Sequence, residues 1–478
     1  MTRIRKNLAY NFLLSASHVL LPLISIPYIS RVLDPEGIGR VSFMDSFTWY
    51  FVSIAELGIT QYGMREVARL KNQPVERGKL VSELMLLHIV SSGITLVLYL
   101  IGVYQLWHKI QDPRLLWFSL SFLLVSFFSC EWYFLGMERF KYITLRSLAT
   151  RLLGLLSLFV LIKGKGDYFL YYGIITVSGI LNMVWNVFVL LKEHPLRTRG
   201  IHWRRHIRKT GLLYCLNLTY DVSLFLDTVI LGIMSAATAV AYYALSIKIA
   251  RTFGSLLTDS LLVFFPRIVH LHKEKESDAL HKVVLNNLRL LVFFSVPVSV
   301  GLCLVADPLI RVFLGEQYVA AVTDLRLLAL FPLLRSYNLF LGNQILIAQN
   351  HERIYLKNLL LSSIVFVGLS VLLCSYYSHT GNCVALLIAE VVLMAANFRA
   401  CRKTAGALPL FDAKSWWQAG ISTLVFVPVV WLMTGWGWSP LMALLLSAAA
   451  GAVIYGCVQL WVMRNSLLAE IRVRMSGR

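Results

Sequence analysis

Apolar stretches of about 20 residues, each long enough to cross a hydrocarbon core of about 30 Å, recur along the whole chain. A backbone in lipid must satisfy every N–H and C=O internally, and a helix does so within one segment. The sequence therefore predicts an all-α polytopic membrane protein with almost nothing left over for a soluble domain. Composition agrees: of 478 residues, 58% are hydrophobic and only 15% charged, with a mean hydropathy of +0.68, a balance far from that of a soluble domain.

The spans read at 7–30, 38–63, 81–103, 114–136, 143–163 and 168–191, then 211–232, 238–265, 288–307, 320–348, 356–377 and 380–400, then 416–434 and 440–463, fourteen in all. The N-terminal stretch begins with basic residues like a signal peptide. Its apolar part is too long for one, contains Pro22 and Pro27 and ends without a small-x-small cleavage site, so it reads as the first span.

Loop charge sets the orientation. The net charge is +20, and 33 of the 45 Lys and Arg residues fall in the two tails and in the loops after even-numbered spans or, for Arg146, Arg289, Lys357 and Arg399, within four residues of those loops. This alternation predicts both termini on the cytoplasmic side and makes nucleic acid, the other common reason for a basic chain, a poor explanation. Seven cysteines without paired spacing point to neither a disulfide framework nor a metal site, and the chain carries no cofactor or catalytic fingerprint.

The basic block "KEHPLRTRGIHWRRHIRK", 192–209, divides the first twelve spans into two sixes. The expected organisation is an N-terminal six-helix lobe (1–191), a cytoplasmic basic linker (192–210), a C-terminal six-helix lobe (211–400) and two additional transmembrane helices (401–478). The linker reads either as a segment lying along anionic headgroups with Trp203 as anchor, or as a solvated loop. A shift of 202 residues lays "FVSIAELGITQYGMREV" over "FGSLLTDSLLVFFPRIV" and Gly37–Gly39 over Ala239–Ala241. Such parallel repeats are a common transporter plan, with the substrate path between them.

Charges inside the spans point to a substrate. Lys248 and Arg251 lie mid-span in the eighth helix and, at i and i+3, on one face. Each costs on the order of 2.5–3.5 kcal/mol at a helix centre, so they need a wet cavity or a partner; Asp221 and Asp227 on the preceding span are the candidate partners. Guanidinium and ammonium together suit a diphosphate better than a carboxylate. Arg335 is a third intramembrane cation, near Pro332, which is expected to bend the tenth span. Carboxylates in a low-dielectric setting hold protons more readily, which makes Asp227 and Asp221, with Glu56 behind them, the candidates for ion or proton coupling. Tyr28, Trp49 and Tyr220 are the aromatic candidates for stacking on sugars.

Three segments carry a family resemblance: "LPLISIPYISRVLDPEGIGRVSF" (21–43), "EWYFLGMERFKYITLRS" (131–147), and "DTVILG" followed by "AYYALSIKIA" (227–250). They resemble the Wzx-type oligosaccharide flippases, the polysaccharide transporter branch of the multidrug/oligosaccharidyl-lipid/polysaccharide exporter superfamily. The likeness runs from about residue 5 to 400. It implies a V-shaped pair of six-helix lobes related by a pseudo-twofold, working by alternating access. It also implies a bacterial inner-membrane protein moving undecaprenyl-diphosphate-linked repeat units from the cytoplasmic to the periplasmic leaflet for O-antigen or related lipopolysaccharide synthesis. By position, Arg31, Lys248 and Arg251 become diphosphate contacts and Asp227 an intramembrane acid. The implied partners are the lipid-linked oligosaccharide and membrane lipids, with a polysaccharide polymerase and a chain-length regulator further along the pathway. Ala239 and Ala241 depart from the glycines usual at the second-repeat turn. The rivals are a cation or drug antiporter of the same superfamily, against which Lys248 and Arg251 argue, and a membrane-embedded glycan polymerase, for which the outward loops are short.

Overall fold

The computed structural model describes residues 2–110, 112–194, 200–221, 225–404, 406, 408–435 and 438–462. Among them every regular element is a helix. The chain divides into two compact units, Met1–Ala241 and Tyr242–Arg478. The first holds α1 (Thr2–Val32), α2 (Pro35–Glu56), α3 (Ile59–Arg69), α4 (Pro74–Gln105), α5 (Arg114–Ser126), α6 (Glu131–Gly136), α7 (Phe140–Leu161), α8 (Tyr168–Glu193), α9 (Arg204–Asp221) and α10 (Asp227–Met234). With α11 (Ala237–Leu262) the chain passes into the second, which continues with α12 (Phe265–Lys273), α13 (Ser277–Leu304), α14 (Ala306–Phe313), α15 (Ala321–Leu328), α16 (Phe331–Leu339), α17 (Glu352–Thr404), α18 (Ala413–Thr423), α19 (Phe426–Gly435) and α20 (Pro440–Cys457). The first unit extends past the 192–210 linker to Ala241 because α9 and α10 pack against α2, α3 and α4.

Eight helical stretches among the described residues are long and apolar enough to cross a membrane unaided. The fourteen expected spans outnumber them for two physical reasons. Several spans are interrupted: α2 stops at Leu57, which takes a left-handed conformation at φ 44°, and a π-helical turn at Phe340–Ile347 follows α16. Conversely, α17 holds the eleventh and twelfth spans in one run, folded back at Ser378 (φ 51°). The His379 imidazole Nδ1 lies 2.8 Å from the buried Asp324 carboxylate, tying that turn to α15. Pro332 does not bend a helix; it occupies the first turn of α16, where its missing N–H costs nothing.

Local chemistry explains where the elements begin. In "LDPEG" the Asp34 side chain accepts a hydrogen bond from the Gly37 N–H at 2.8 Å, and Pro35 follows at the first helical position. Ser439 and Pro440 start α20 in the same way. Ala237 follows Pro35 by 202 residues, so α2 and α11 begin at the offset that lays one half of the sequence over the other.

The core of the first unit gathers Trp132, Tyr133, Phe134, Tyr62 and Leu84. The "EWYFLG" segment is thus a packing element in its middle: a Cβ on Gly136 would lie 2.7 Å from the Met64 carbonyl, so only glycine lets α6 approach α3 this closely. A second core, around Leu288, Phe340, Ile345 and Leu393, fills the other unit.

Over its described part the basic linker is fastened to the first unit through Glu83, while Arg204, Arg208 and Lys209 stay exposed. The fully buried Glu83 carboxylate of α4 accepts from the His202 backbone N–H at 2.9 Å and the Arg205 Nε at 3.1 Å, and lies 2.9 Å from His206 Nε2. His206 Nδ1 in turn is 2.8 Å from the Tyr62 hydroxyl, and Trp203 packs on the core. Breaking a buried ion pair from one side costs several kcal/mol. We expect Glu83→Ala to destabilise the protein by about 3 kcal/mol, read as a lowered unfolding midpoint in detergent together with faster proteolysis of the 195–210 segment. An unchanged midpoint would remove the latch role.

Outside the spans, the Arg114 guanidinium, 2.8 Å from Asp112, holds that carboxyl at about 2 against the opposing effect of burial, with the Tyr168 hydroxyl helping. Because its folded value is depressed, Asp112 contributes stability above its ordinary value of 3.8 and loses that contribution as pH falls toward 2. The thermal midpoint of the wild type should therefore drop more steeply between pH 5 and pH 3 than that of Asp112→Asn; parallel acid limbs would contradict the assignment.

Candidate functional site

The eighth predicted span is α11, and its two cations share a polar stripe. Lys248 is exposed and Arg251 partly so, whereas Ile247, Ile249 and Ala250 beside them are buried. Thr252, Ser255 and Asp259 continue the same stripe at helical spacing, with the Thr252 hydroxyl donating to the Lys248 carbonyl at 2.8 Å and Ser255 to the Thr252 carbonyl at 2.9 Å. Two cations, two hydroxyls and a carboxylate along one side of an apolar helix describe a face built for water or a polar ligand rather than for acyl chains.

The other expected site residues divide. Arg31 is exposed in the last turn of α1, where a cation also complements the helix dipole. Arg335 on α16 donates from Nη1 to Glu390 at 3.2 Å, and the Asn338 amide holds the same carboxylate at 2.7 Å. With side-chain exposures of 13% and 4%, this pair is part of the second unit's interior. Asp227 is fully buried at the start of α10, accepting from the Thr228 backbone N–H at 2.6 Å and hydroxyl at 3.1 Å. The side chains of Asp221 and Tyr220 lie outside the described residues. Tyr28 is committed to packing, its hydroxyl donating to the Ile162 carbonyl at 2.7 Å and its ring against Phe159.

Glu56 belongs to an arrangement that charges considered one at a time do not reveal. It ends α2, accepts from the Thr60 hydroxyl at 3.2 Å, and lines a cavity of about 380 Å³ inside the first unit. One side of α2 supplies Asp45, Trp49 and Glu56, each one or two turns apart; Glu131, Arg151 and Asn182 come from α6, α7 and α8. Glu131 is paired at 3.0 Å with Arg146, whose side chain is almost fully buried and also contacts the Asn186 amide oxygen. Trp49 is packed between Phe122 and Phe225, with ring centroids at 5.2 and 6.1 Å. The signal for this cavity was present in the sequence as the i, i+4, i+11 spacing of residues 45, 49 and 56 on a helix.

Comparisons with known proteins agree with this picture. Residues 4–272 match the family model described as Polysaccharide biosynthesis protein, and residues 152–449 match that described as Lipid II flippase MurJ. Among curated proteins the chain is similar to the "Putative O-antigen transporter" of Escherichia coli (strain K12), 24% identical over 408 residues covering 82% of this chain and 94% of that one. It is similar also to the protein of the same description from Shigella dysenteriae, at 23% over 403 residues covering 83% and 100%. Among solved structures, the lipid II flippase MurJ in an inward closed conformation superposes with a TM-score of 0.73 over 98% of this chain and 100% of that one, at 14% identity. A multidrug resistance MATE family transporter in an inward-facing conformation gives 0.60 over 83% and 96%, at 15% identity. At such identities the structural likeness speaks to the fold.

Proposed function

The chain belongs to the polysaccharide biosynthesis protein family of the multidrug/oligosaccharidyl-lipid/polysaccharide exporter superfamily, and from that premise we propose that it flips polyprenyl-diphosphate-linked oligosaccharide repeat units across the bacterial inner membrane for O-antigen or a related surface polysaccharide. The observation that carries this reading is similarity over nearly the full length of two described O-antigen transporters, combined with a cationic stripe on α11 suited to a diphosphate. The protein works as a transporter, with no bond made or broken.

In this reading both termini lie in the cytoplasm, as the basic loops require. The diphosphate is met by Lys248 and Arg251, with Arg31 as a further contact; Arg335 reaches substrate only by releasing Glu390. A desolvated diphosphate would otherwise face a prohibitive barrier in hydrocarbon. Rocking between inward-open and outward-open states delivers the headgroup while the polyprenyl tail stays in lipid. Coupling to an ion or proton gradient would fall to Asp227, Asp221 or Glu56. Hand-over to a polymerase and a chain-length regulator follows on the periplasmic side. The superfamily's drug antiporters are disfavoured because a cationic substrate would be repelled by Lys248 and Arg251.

The test is complementation: a strain lacking its own flippase, supplied with this chain at matched membrane levels and with a compatible repeat unit, should regain surface polysaccharide. Accumulation of the lipid-linked unit in the cytoplasmic leaflet despite normal expression would refute the assignment.

A further inference from the structure

In the first unit α4 runs unbroken from Pro74 to Gln105, and two spans beside it do not. α2 ends at Glu56 and gives way to α3 through Leu57 and Gly58, both at positive φ, while residues 127–130 separate the end of α5 at Ser126 from α6. Both interruptions meet the middle of α4. The Ser91 hydroxyl donates to the Ala55 carbonyl in the last turn of α2 at 2.6 Å, and the Ser129 backbone faces the His88 ring. The C-terminal end of a helix carries partial negative charge and favours a cation. Half-helix ends of this kind hold ions and protons in transporters built from interrupted spans.

His88 is the group on α4 that can become such a cation, since an imidazole titrates in the physiological range. It is 2% exposed, and neither ring nitrogen has a hydrogen-bond partner among the described residues. The Ser129 backbone approaches without closing a bond, and the Ser129 carbonyl already accepts from the Trp132 indole N–H at 3.3 Å. Ser92, one turn further along α4 and fully buried, likewise has a hydroxyl that no described group satisfies. Two buried polar side chains without partners on one helix face need an explanation. On the elements around α4 the titratable groups are Glu56 on α2, Tyr62 on α3, Cys130 and Glu131 at α6, and Arg205 and His206 on α9, the last two held by Glu83; α5 carries only Arg114, at its far end. None of these pairs with the His88 ring. Ser129 also lines the cavity that contains Glu56 and Glu131, so a proton has a polar space from which to reach it.

We infer that His88 is a proton-binding site of the first unit, filled in one half of the transport cycle and emptied in the other, with the ends of α2 and α5 closing on the imidazolium. In the conformation described an imidazolium would find no acceptor, so this arrangement is the emptied one. The inference rests on the reading that the chain moves a lipid-linked diphosphate, and it adds a proton site to the carboxylates named there. A proton entering from outside can drive a substrate outward only if it leaves as the substrate loads from the cytoplasm, so proton and substrate oppose each other's binding.

The experiment is calorimetric titration of the purified full chain in lipid nanodiscs with a polyprenyl-diphosphate oligosaccharide of a compatible repeat unit. Titrations at pH 8 and pH 6, each in two buffers of different ionisation heat, return the affinity and the number of protons exchanged together. The wild type should bind at least threefold more weakly at pH 6 than at pH 8 and release protons as it binds at pH 6. His88→Leu should bind with one affinity at both pH values and release none. Leucine there replaces a buried ring that has no partner by an apolar side chain, a change that is near neutral or stabilising, so the variant should unfold at the wild-type temperature or above. Wild-type affinity that ignores pH would overturn the inference and leave the flippase reading standing, as would the same pH dependence in His88→Leu. A leucine variant that unfolds at a lower temperature, or that no longer binds substrate, would give the ring a structural task and overturn the inference too. If the wild type binds no lipid-linked substrate at either pH, the flippase reading fails and this inference falls with it.

Discussion

Lys248→Met combined with Arg251→Met is expected to reduce polysaccharide export by at least a hundredfold at matched membrane levels, with each single change costing about tenfold or more. The size follows from the chemistry of the contact. A hydrogen bond to a charged group is worth roughly 1.5–3 kcal/mol, and each 1.4 kcal/mol is a factor of ten. Methionine preserves length and apolar bulk, so the change removes charge with little change of volume. Lys248 is exposed and Arg251 half-buried, so the unfolding temperature of each variant is measured beside its membrane level. The discriminating measurement is export per copy of protein in the complemented strain. Wild-type export by the double variant would end the diphosphate role of this stripe, whatever its effect on stability.

Gly39→Val should be the most damaging single change away from the charged residues. A Cβ at Gly39 would lie 1.7 Å from the Ala237 carbonyl oxygen, a separation no side-chain rotation relieves because the obstacle is backbone. Overpacking of a tight site commonly costs about 1–3 kcal/mol and more when main chain must move. A loss above about 4 kcal/mol is the expectation here, with Gly39→Ala close behind. The control is Gly93→Ala within α4, where nothing lies within 4 Å of the added carbon; there the better helix former should stabilise by about 0.5–1 kcal/mol. Thermal unfolding in detergent separates the two. A Gly39→Val protein as stable as Gly93→Ala would mean that α2 and the start of α11 are not in contact in the folded protein.

Much of this architecture is legible in the sequence because membrane crossing is a local property: length, apolarity and flanking charge locate a span within one window. The Asp34–Pro35 and Ser439–Pro440 helix starts are equally local. What is not legible depends on partners far away in the chain. Glu83 looks ordinary beside its neighbours, and its role emerges only when residues 202–206, some 120 positions later, come to rest on it. Arg335 reads as a free intramembrane cation until Glu390, 55 residues on, closes against it. Asp45 and Glu56 read as isolated acids until Glu131, Arg151 and Asn182 complete the wall of their cavity. The left-handed Leu57 is hidden for a different reason, since leucine carries no local signal for positive φ.

All the groups that meet at Glu83, from Tyr62 to His206, belong to the first 206 residues. Ribosomes deliver domains in order, and an early one can settle before a later one exists. The clasp at Glu83 can therefore fasten while the remaining half of the polypeptide is still being translated. It sets the trailing strand of chain in position at the point from which the next helices must enter the bilayer. Damage to it would then surface first as faulty insertion of a newborn chain, and only afterwards as weakness in the finished one.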